Sequence, residues 1–112
     1  MIPLAQTKFH GDTQNGNCFA TCIASILEVP SEAVPAFEEL FASYPTQWVG
    51  WYRRYLKGWD ITAVQKDTHL AIPSYYIANG ISPRGSEGSQ LLHSVIYLDG
   101  KMIHDPHPSG NG

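Results

Sequence analysis

The chain has 112 residues, of which 43% are hydrophobic and 15% charged, and its formal net charge is −3. This length predicts one domain, residues 1–112, built around a single hydrophobic core. The small negative charge and the lone basic pair Arg53-Arg54 exclude a nucleic-acid partner held by electrostatics, and no run approaches the roughly 20 apolar residues of a membrane span.

The N-terminal segment and the cysteines indicate the cellular compartment. The first dozen residues, MIPLAQTKFHGD, contain neither a basic region nor an apolar stretch, which argues against a signal peptide. Cys18 and Cys22 are four residues apart on one predicted helix, where disulfide geometry is rarely met. We therefore expect free thiols and a cytoplasmic protein.

The first predicted helix is the clearest element of the chain. It begins after an N-cap at Asn17 and ends near Val29, before Pro30, because Pro disfavours helical conformation in the residue that precedes it. Apolar residues at helical spacing mark its buried face. They are Phe19, Cys22, Ile23, Ile26 and Leu27.

Two further helices are predicted before residue 59. The second starts within residues 31–35 and ends at Pro45, and the third runs from an N-cap at Thr46 to Gly58. Both carry an aromatic and aliphatic face that is expected to point inward. Its members are Val34, Phe37, Leu40, Phe41, Tyr44, Trp48, Trp51, Tyr52, Tyr55 and Leu56.

Shorter periodicities predict strands in the second half of the chain. Residues 59–65 alternate in polarity, and residues 72–78 are aromatic and β-branched. Residues 79–90, rich in Gly and Ser, are predicted to be a loop. A hairpin with strands at 93–98 and 101–105 follows. Helices first and strands second predict an α+β fold, with the helices packed on a small antiparallel sheet.

The two cysteines are predicted to have different roles. Cys18 lies in the first turn of its helix, where unpaired N–H groups and the helix dipole lower a thiol pKa and favour a nucleophile. Cys22 lies one turn later within the apolar stripe, as a small core residue does. The aromatic stripe that contains Trp51 fits core packing, or alternatively a hydrophobic wall for a substrate.

The hairpin register decides whether His93 can meet Asp105. A two-residue turn, Asp99-Gly100, places them on opposite faces of the sheet. A three-residue turn from Leu98 to Gly100, with Gly100 in a left-handed bulge, places them opposite each other. A catalytic interpretation therefore predicts the three-residue turn, or a bulge elsewhere that restores the parity. The alternative is an edge hairpin followed by an ordinary Asp-Pro turn.

Three motifs in the chain resemble those of papain-like cysteine peptidases. They are GNC at 16–18 before a helix, SPRG at 82–85, and HDPHPS at 104–109. The likeness runs from about residue 14 to 110 and is closest to small bacterial and phage proteins of papain-like fold that end in HDPHPS. A more distant likeness, through a His strand followed by Asp-Pro, is to peptidases that remove leader peptides from bacteriocins.

The resemblance implies a catalytic triad. Cys18 is the nucleophile, His93 its general base and Asp105 the acid that orients the ring. The implied activity is a thiol hydrolase that cleaves an amide, peptide or isopeptide bond of a peptide or small amide substrate through a thioester, without a cofactor. His104 and His107 are expected to lie outside the triad, with His107 capping the turn.

The resemblance also implies an oxyanion donor and a substrate contact. Gln14 would act beside the backbone N–H of Cys18, although the family's glutamine commonly lies six residues before the cysteine and Gln14 lies four before it. Asn15 and Asn17 are alternatives. In the SPRG loop, Arg84 would pair with a substrate carboxylate, or remain an exposed loop residue.

Two other classes of function fit the same residues. Cys18 and Cys22 with His104 and His107 offer two sulfur and two nitrogen ligands, which predicts a small zinc-binding domain if Cys22 leaves the apolar stripe. The second class is a catalytically silent papain-like domain that binds or inhibits a partner, since a fold does not determine a function.

Overall fold

The computed structural model describes residues 1–10, 15–59, 73–83, 92–110 and 112, and it confirms an α+β fold. Within these residues, three α-helices come first, followed by three strands that form an antiparallel sheet in the order β1-β2-β3. The helices are α1 Cys18–Leu27, α2 Phe37–Ser43 and α3 Trp48–Gly58, with a 3-10 turn at Ser31–Ala33. The strands are β1 Tyr75–Ile81, β2 Leu92–Leu98 and β3 Lys101–His104.

Helix α1 is the central element of the helical layer. Every residue from 20 to 25 is buried, so the helix is covered on all sides rather than on one stripe. It ends at Leu27, two residues before the predicted end, because Glu28 adopts a left-handed φ of 59°. The N–H of Val29 then reaches back to the carbonyl of Ala24 at 3.1 Å, as at many helix C-termini.

Asn17 occupies the predicted N-cap position, but its side chain does not cap α1. Its Oδ1 instead accepts hydrogen bonds from the N–H groups of Thr7 and Lys8, at 3.1 and 2.9 Å. Asn17 therefore ties the N-terminal segment to the start of α1. The N–H groups of Phe19 and Ala20, in the first turn of α1, donate instead to the side chain of Glu38 in α2.

The second predicted helix is divided in two by Pro35. The 3-10 turn lies before Pro35, and α2 begins after it, at Phe37. The break occurs because the residue before the proline, Val34, is held in an extended conformation with φ −99° and ψ 130°. Phe37 is buried as expected, whereas Phe41 and Tyr44 are 50% and 49% exposed. The expectation that these two face inward is wrong, since the shortened helix turns them away from the core.

Helix α3 begins at Trp48, two residues after the predicted N-cap Thr46, and Gln47 takes the capping position without a side-chain cap. Leu56 is its only fully buried residue. The core beneath it joins α1, α2, α3 and β1 through side chains from each. The buried members are Ala20, Ile23, Ala24, Val34, Phe37 and Leu56, with Phe19, Tyr52, Tyr55 and Ile77 packed against them.

Strand β1 is displaced along the chain from its predicted position. It covers Tyr75–Ile81 rather than 72–78, so Asn79 and Gly80, expected in a loop, lie in the sheet. Gly80 pairs with His93 of β2 in an antiparallel register. Of the strand predicted at 59–65, only Trp59 lies within the described residues, and it follows the end of α3.

The hairpin between β2 and β3 turns through two residues. Leu98 pairs with Lys101, and the turn residues Asp99 and Gly100 have φ values of 52° and 78°. Positive φ at both positions is what a type I′ hairpin requires. The predicted three-residue turn is therefore wrong.

An irregularity further along the hairpin inserts one residue into β3. Tyr97 pairs with Met102, whereas Ile96 pairs with His104, so that Ile103 has no partner on β2. This is a β-bulge, in which two residues of one strand oppose one residue of the other.

No single helix of the described residues is long and apolar enough to cross a membrane. The segments Cys18–Leu27 and Ser31–Ser43 would together meet a criterion of length and composition, but a bend of 103° separates them.

Replacement of Phe37 tests the position of the core. Phe37 is 2% exposed and contacts the rings of Phe19, Tyr52 and Tyr55, so Phe37→Ala should lower the free energy of unfolding by about 3 to 5 kcal/mol. Phe41→Ala removes the same atoms from a half-exposed site and should cost less than about half as much. Urea unfolding of both variants measures the difference, and equal losses would contradict this core.

Candidate active site

His93 and Asp105 form a short, buried hydrogen bond beyond the end of the hairpin. The His93 Nε2 lies 2.6 Å from Asp105 Oδ1, and the two side chains are 5% and 2% exposed. Because an ionised carboxylate can only accept hydrogen bonds, Nε2 is the donor, and Nδ1 is left as the ring atom that can accept a proton. A histidine held in this way has the tautomer and orientation of a general base.

The bulge in β3 brings the two side chains onto one face of the sheet. Regular pairing from the two-residue turn would leave Asp105 on the face opposite to His93. The extra residue, Ile103, moves the side chain of each later residue, including Asp105, to the other face of the sheet. The predicted requirement that a bulge restore the parity is thus met, although by Ile103 and not by Gly100.

Asp105 is held by backbone groups as well as by His93. Oδ1 also accepts the N–H of His107 at 2.9 Å, and Oδ2 accepts the N–H of Gly112 at 2.8 Å. Burial alone would raise the pKa of Asp105, but these donors together with His93 hold the pKa of this carboxyl below its ordinary value. Asp105 is therefore charged and fixed in orientation.

Cys18 is the first residue of α1, and it lies beside the residue that follows His93 in β2. Its sulfur is partly exposed and interacts with the N–H and hydroxyl of Ser94. Among the hydrogen bonds of the described residues, none joins the Cys18 sulfur to the His93 ring. Such contacts are often long before a substrate is bound and shorten afterwards. The two residues are related through Ser94, which interacts with the Cys18 sulfur and directly follows His93 in β2.

The pKa of the Cys18 thiol is raised, contrary to the expectation from its helical position. Burial is the largest cause, and the carboxylate of Glu38 adds to it. Interactions with the Ser94 N–H and hydroxyl and with the N–H of Phe19 oppose the rise without cancelling it. In the described structure, Cys18 is therefore a neutral thiol near neutral pH.

Cys22 is the core residue that the apolar stripe predicts. It is 0% exposed, and its thiol donates to the carbonyl of Ser94 at 3.4 Å, which links α1 to β2. Burial raises its pKa strongly, with smaller contributions from Cys18, Asp105 and Glu38. Cys22 is unsuited to act as a nucleophile.

The two histidines next to Asp105 have other partners, as predicted. His104 Nε2 donates to the carbonyl of Leu4 at 2.7 Å. His107 caps its turn, because its Nδ1 accepts the N–H of Ser109 at 3.1 Å. The ring of His107 also lies edge-on to that of His93, with centroids 6.2 Å apart, so it covers one side of the His93 ring.

These separate roles leave the zinc hypothesis without a ligand set. Cys22 is buried against Ser94, and His104 is occupied by the N-terminal segment. Within the described residues, which include all four proposed ligands, no group of three or more His, Cys, Asp or Glu side chains is arranged to hold a metal ion.

The oxyanion and substrate residues are only partly within the described chain. Gln14 and Arg84 lie outside the described residues. The Asn17 side chain is used in bonds to Thr7 and Lys8, since its Nδ2 also donates to Thr7 Oγ1 at 2.9 Å. Asn17 is thus committed to structure in this conformation.

Gln6 is a buried amide beside the loop before Cys18, and the sequence pattern does not single it out. It is 7% exposed, its N–H donates to the carbonyl of Pro106, and its Nε2 donates to the carbonyl of Lys8, both at 2.9 Å. A Cβ placed on Gly16 would lie 3.6 Å from that Nε2, so the amide borders the loop before Cys18. No motif or periodicity marks Gln6, because the contacts that bury it are distant in sequence.

Trp51 is half-buried on α3, and its ring packs edge-on against Tyr44 with centroids 5.4 Å apart. Tyr44 is itself half-exposed, so the pair lies at the margin of the core rather than within it. Among the described residues, no contact links Trp51 to Cys18, His93 or Asp105, and its assignment to a substrate remains a prediction.

Comparison of the chain with protein-family models, with curated proteins and with solved structures gives no match.

Asp105 should stabilise the fold in a pH-dependent manner. Because its pKa is lowered by folding, its stabilising effect is present above the ordinary Asp pKa of about 4 and is lost as the pH falls through the lowered value. Asp105→Asn should therefore cost about 1 to 3 kcal/mol at pH 7 and less in acid. Urea unfolding of the native protein and of Asp105→Asn at pH 7 and at pH 3 measures the loss of unfolding free energy at each pH.

The matched control is Asp99→Asn, since Asp99 is exposed in the hairpin turn and Asn also tolerates a positive φ. It should change stability little at either pH. A cost of Asp105→Asn that stays constant or grows towards acid would contradict the assigned role of the carboxylate.

Proposed function

We propose that this protein is a thiol hydrolase of papain-like type, which cleaves an amide, peptide or isopeptide bond through Cys18, His93 and Asp105. The observation that carries the proposal is the buried 2.6 Å contact from His93 Nε2 to Asp105, which leaves Nδ1 as the ring atom that can accept a proton, one residue before the Ser94 groups that interact with the Cys18 sulfur. A structural hairpin has no need of a buried charged pair in this position, since an apolar pair of similar volume would stabilise it as well.

The proposed reaction begins with the Cys18 thiol and with the His93 ring held by Asp105 through Nε2. As the Cys18 sulfur attacks the carbonyl carbon, its proton passes to His93 Nδ1, and the Asp105 carboxylate stabilises the imidazolium that forms. The tetrahedral intermediate collapses when the same proton is given to the leaving amine. Water then attacks the thioester with His93 again as the base, which releases the acid and restores the thiol.

The donors available to the oxyanion are the backbone N–H of Cys18 and a nearby side-chain amide. Gln14 is the amide that the family resemblance implies. Gln6 is a second candidate, since it is buried next to the loop that leads to Cys18 and its Nε2 carries a second N–H besides the one donated to the Lys8 carbonyl.

An activated ester tests the acyl-transfer chemistry without knowledge of the substrate. With p-nitrophenyl acetate, the native protein should release about one equivalent of nitrophenolate in a burst, and intact mass and fragmentation spectra should find one acetyl group on Cys18. Cys18→Ala should abolish the burst. His93→Ala should slow it about a hundredfold, the usual contribution of a general base.

Two controls separate catalysis from general reactivity. His10→Ala removes an exposed imidazole and Asp99→Asn an exposed carboxylate, and both variants should leave the burst unchanged. Acetylation that is slow, spread over several side chains and insensitive to His93→Ala would overturn the proposal and favour a catalytically silent binding domain.

A further inference from the structure

Glu38 of α2 caps the helix that begins with Cys18. Its Oε1 accepts the N–H groups of Phe19 and Ala20, at 2.7 and 3.1 Å. These are among the first N–H groups of α1, whose unpaired state gives a helix N-terminus its positive partial charge. The Glu38 carboxylate thus takes up the N–H of Ala20 and competes with the Cys18 sulfur for the N–H of Phe19, which favours the thiolate.

The surroundings of Glu38 are unusual for a helix cap. The side chain is half-buried, and its Oε2 is buried with no hydrogen-bond partner among the described residues. Burial raises the pKa of Glu38, although the two cap bonds partly oppose this effect. A solvent-exposed Asp or Ser would cap α1 at lower cost, so the position of this charge requires an explanation beyond stability.

The charge of Glu38 is not neutralised by a cation among the described residues around it. Lys8 is the nearest cationic side chain with a contact in α2, and it pairs with Glu39 at 3.4 Å, where both groups are about half exposed. Further ionisable groups lie on the elements that pack against α1 or α2. They are Cys22, Glu32, Tyr52, Arg53, Arg54, Tyr55, Lys57, Tyr75, Tyr76, His93, Tyr97 and, after β3, Asp105. Among the described residues none of these groups forms an ion pair with Glu38, so its carboxylate acts on Cys18 without a bound counter-ion.

We infer that Glu38 is a positioning residue that keeps the Cys18 thiol protonated in the resting protein, so that Cys18 depends on His93 for activation at the moment of attack. This inference rests on the proposed function and specifies how its site is regulated. It distinguishes the site from one with a preformed thiolate–imidazolium pair. A neutral resting thiol is poorly reactive towards adventitious electrophiles and is resistant to oxidation, whereas a bound carbonyl substrate still allows the proton to move to His93.

The substitution Glu38→Gln isolates the charge from the cap. The Gln carbonyl can accept the same two N–H groups, and because burial already disfavours the charged form of Glu38, the variant should fold at least as well at neutral pH. Glu39→Gln is the matched control, because it removes the same charge from the adjacent, exposed position.

The test is the pH dependence of Cys18 alkylation by iodoacetamide, with the modified cysteine identified by fragmentation mass spectrometry. In the native protein, the rate should rise only at alkaline pH, above the midpoint of an ordinary cysteine. Removal of a nearby like charge should lower the apparent pKa of Cys18 by about one, which increases the thiolate about tenfold near pH 7. A thiolate of lower pKa is also a weaker nucleophile, which offsets part of this gain. Cys18 of Glu38→Gln should therefore be alkylated about threefold faster than Cys18 of the native protein at pH 7.

Each outcome has a separate meaning. A native rate that stays on a plateau below pH 7 would overturn the inference, as would a Glu38→Gln profile that coincides with those of the native protein and Glu39→Gln. A shifted profile in Glu38→Gln, with an acetylation burst that does not depend on His93, would uphold the role of Glu38 and reject the triad. An unshifted Glu38→Gln profile, together with an acetylation burst that depends on His93, would uphold the triad and reject the role of Glu38.

Discussion

The packing of α1 on β2 is the contact on which the arrangement of this protein depends. Cys22 is at its centre, since its thiol donates to the Ser94 carbonyl while the side chain is wholly enclosed. One helical turn before Cys22, Cys18 is carried to the side of Ser94, and one residue before Ser94 is His93. A single close contact between the two layers thus brings together groups that are 75 residues apart in sequence, from 18 to 93.

The sequence predicts the elements of this arrangement better than their boundaries. The α+β class, the helix that starts at Cys18 and the final hairpin follow from apolar periodicity and turn residues, which are local signals. Local signals also explain the failure at the second helix, where the conformational restriction before Pro35 outweighs a continuous apolar pattern. The displaced strand β1 is a similar case, because pairing with β2 draws Asn79 and Gly80 into the sheet despite their preference for turns.

The pairing of His93 with Asp105 shows which part of a site can be inferred from sequence. The parity argument identifies the need for one additional residue in the hairpin, because side chains alternate along a strand. It does not locate that residue, because Asp99-Gly100 forms a favourable two-residue turn and nothing in the local sequence marks Ile103 as unpaired. Glu38 and Gln6 are outside the reach of such reasoning altogether, since each acquires its role through contacts with segments that are distant in sequence.

The three hydrogen bonds that hold Asp105 have a mechanical consequence. All of them come from β2 and from the C-terminal turn, at His93, His107 and Gly112, and none comes from the helices. His93 and Asp105 therefore form one unit held by β2 and the turn after β3, while the Cys18 sulfur is carried by α1. The separation of the Cys18 sulfur from the His93 ring therefore depends on how closely α1 packs on β2. Cys22, enclosed between these two elements, is the side chain that sets this spacing.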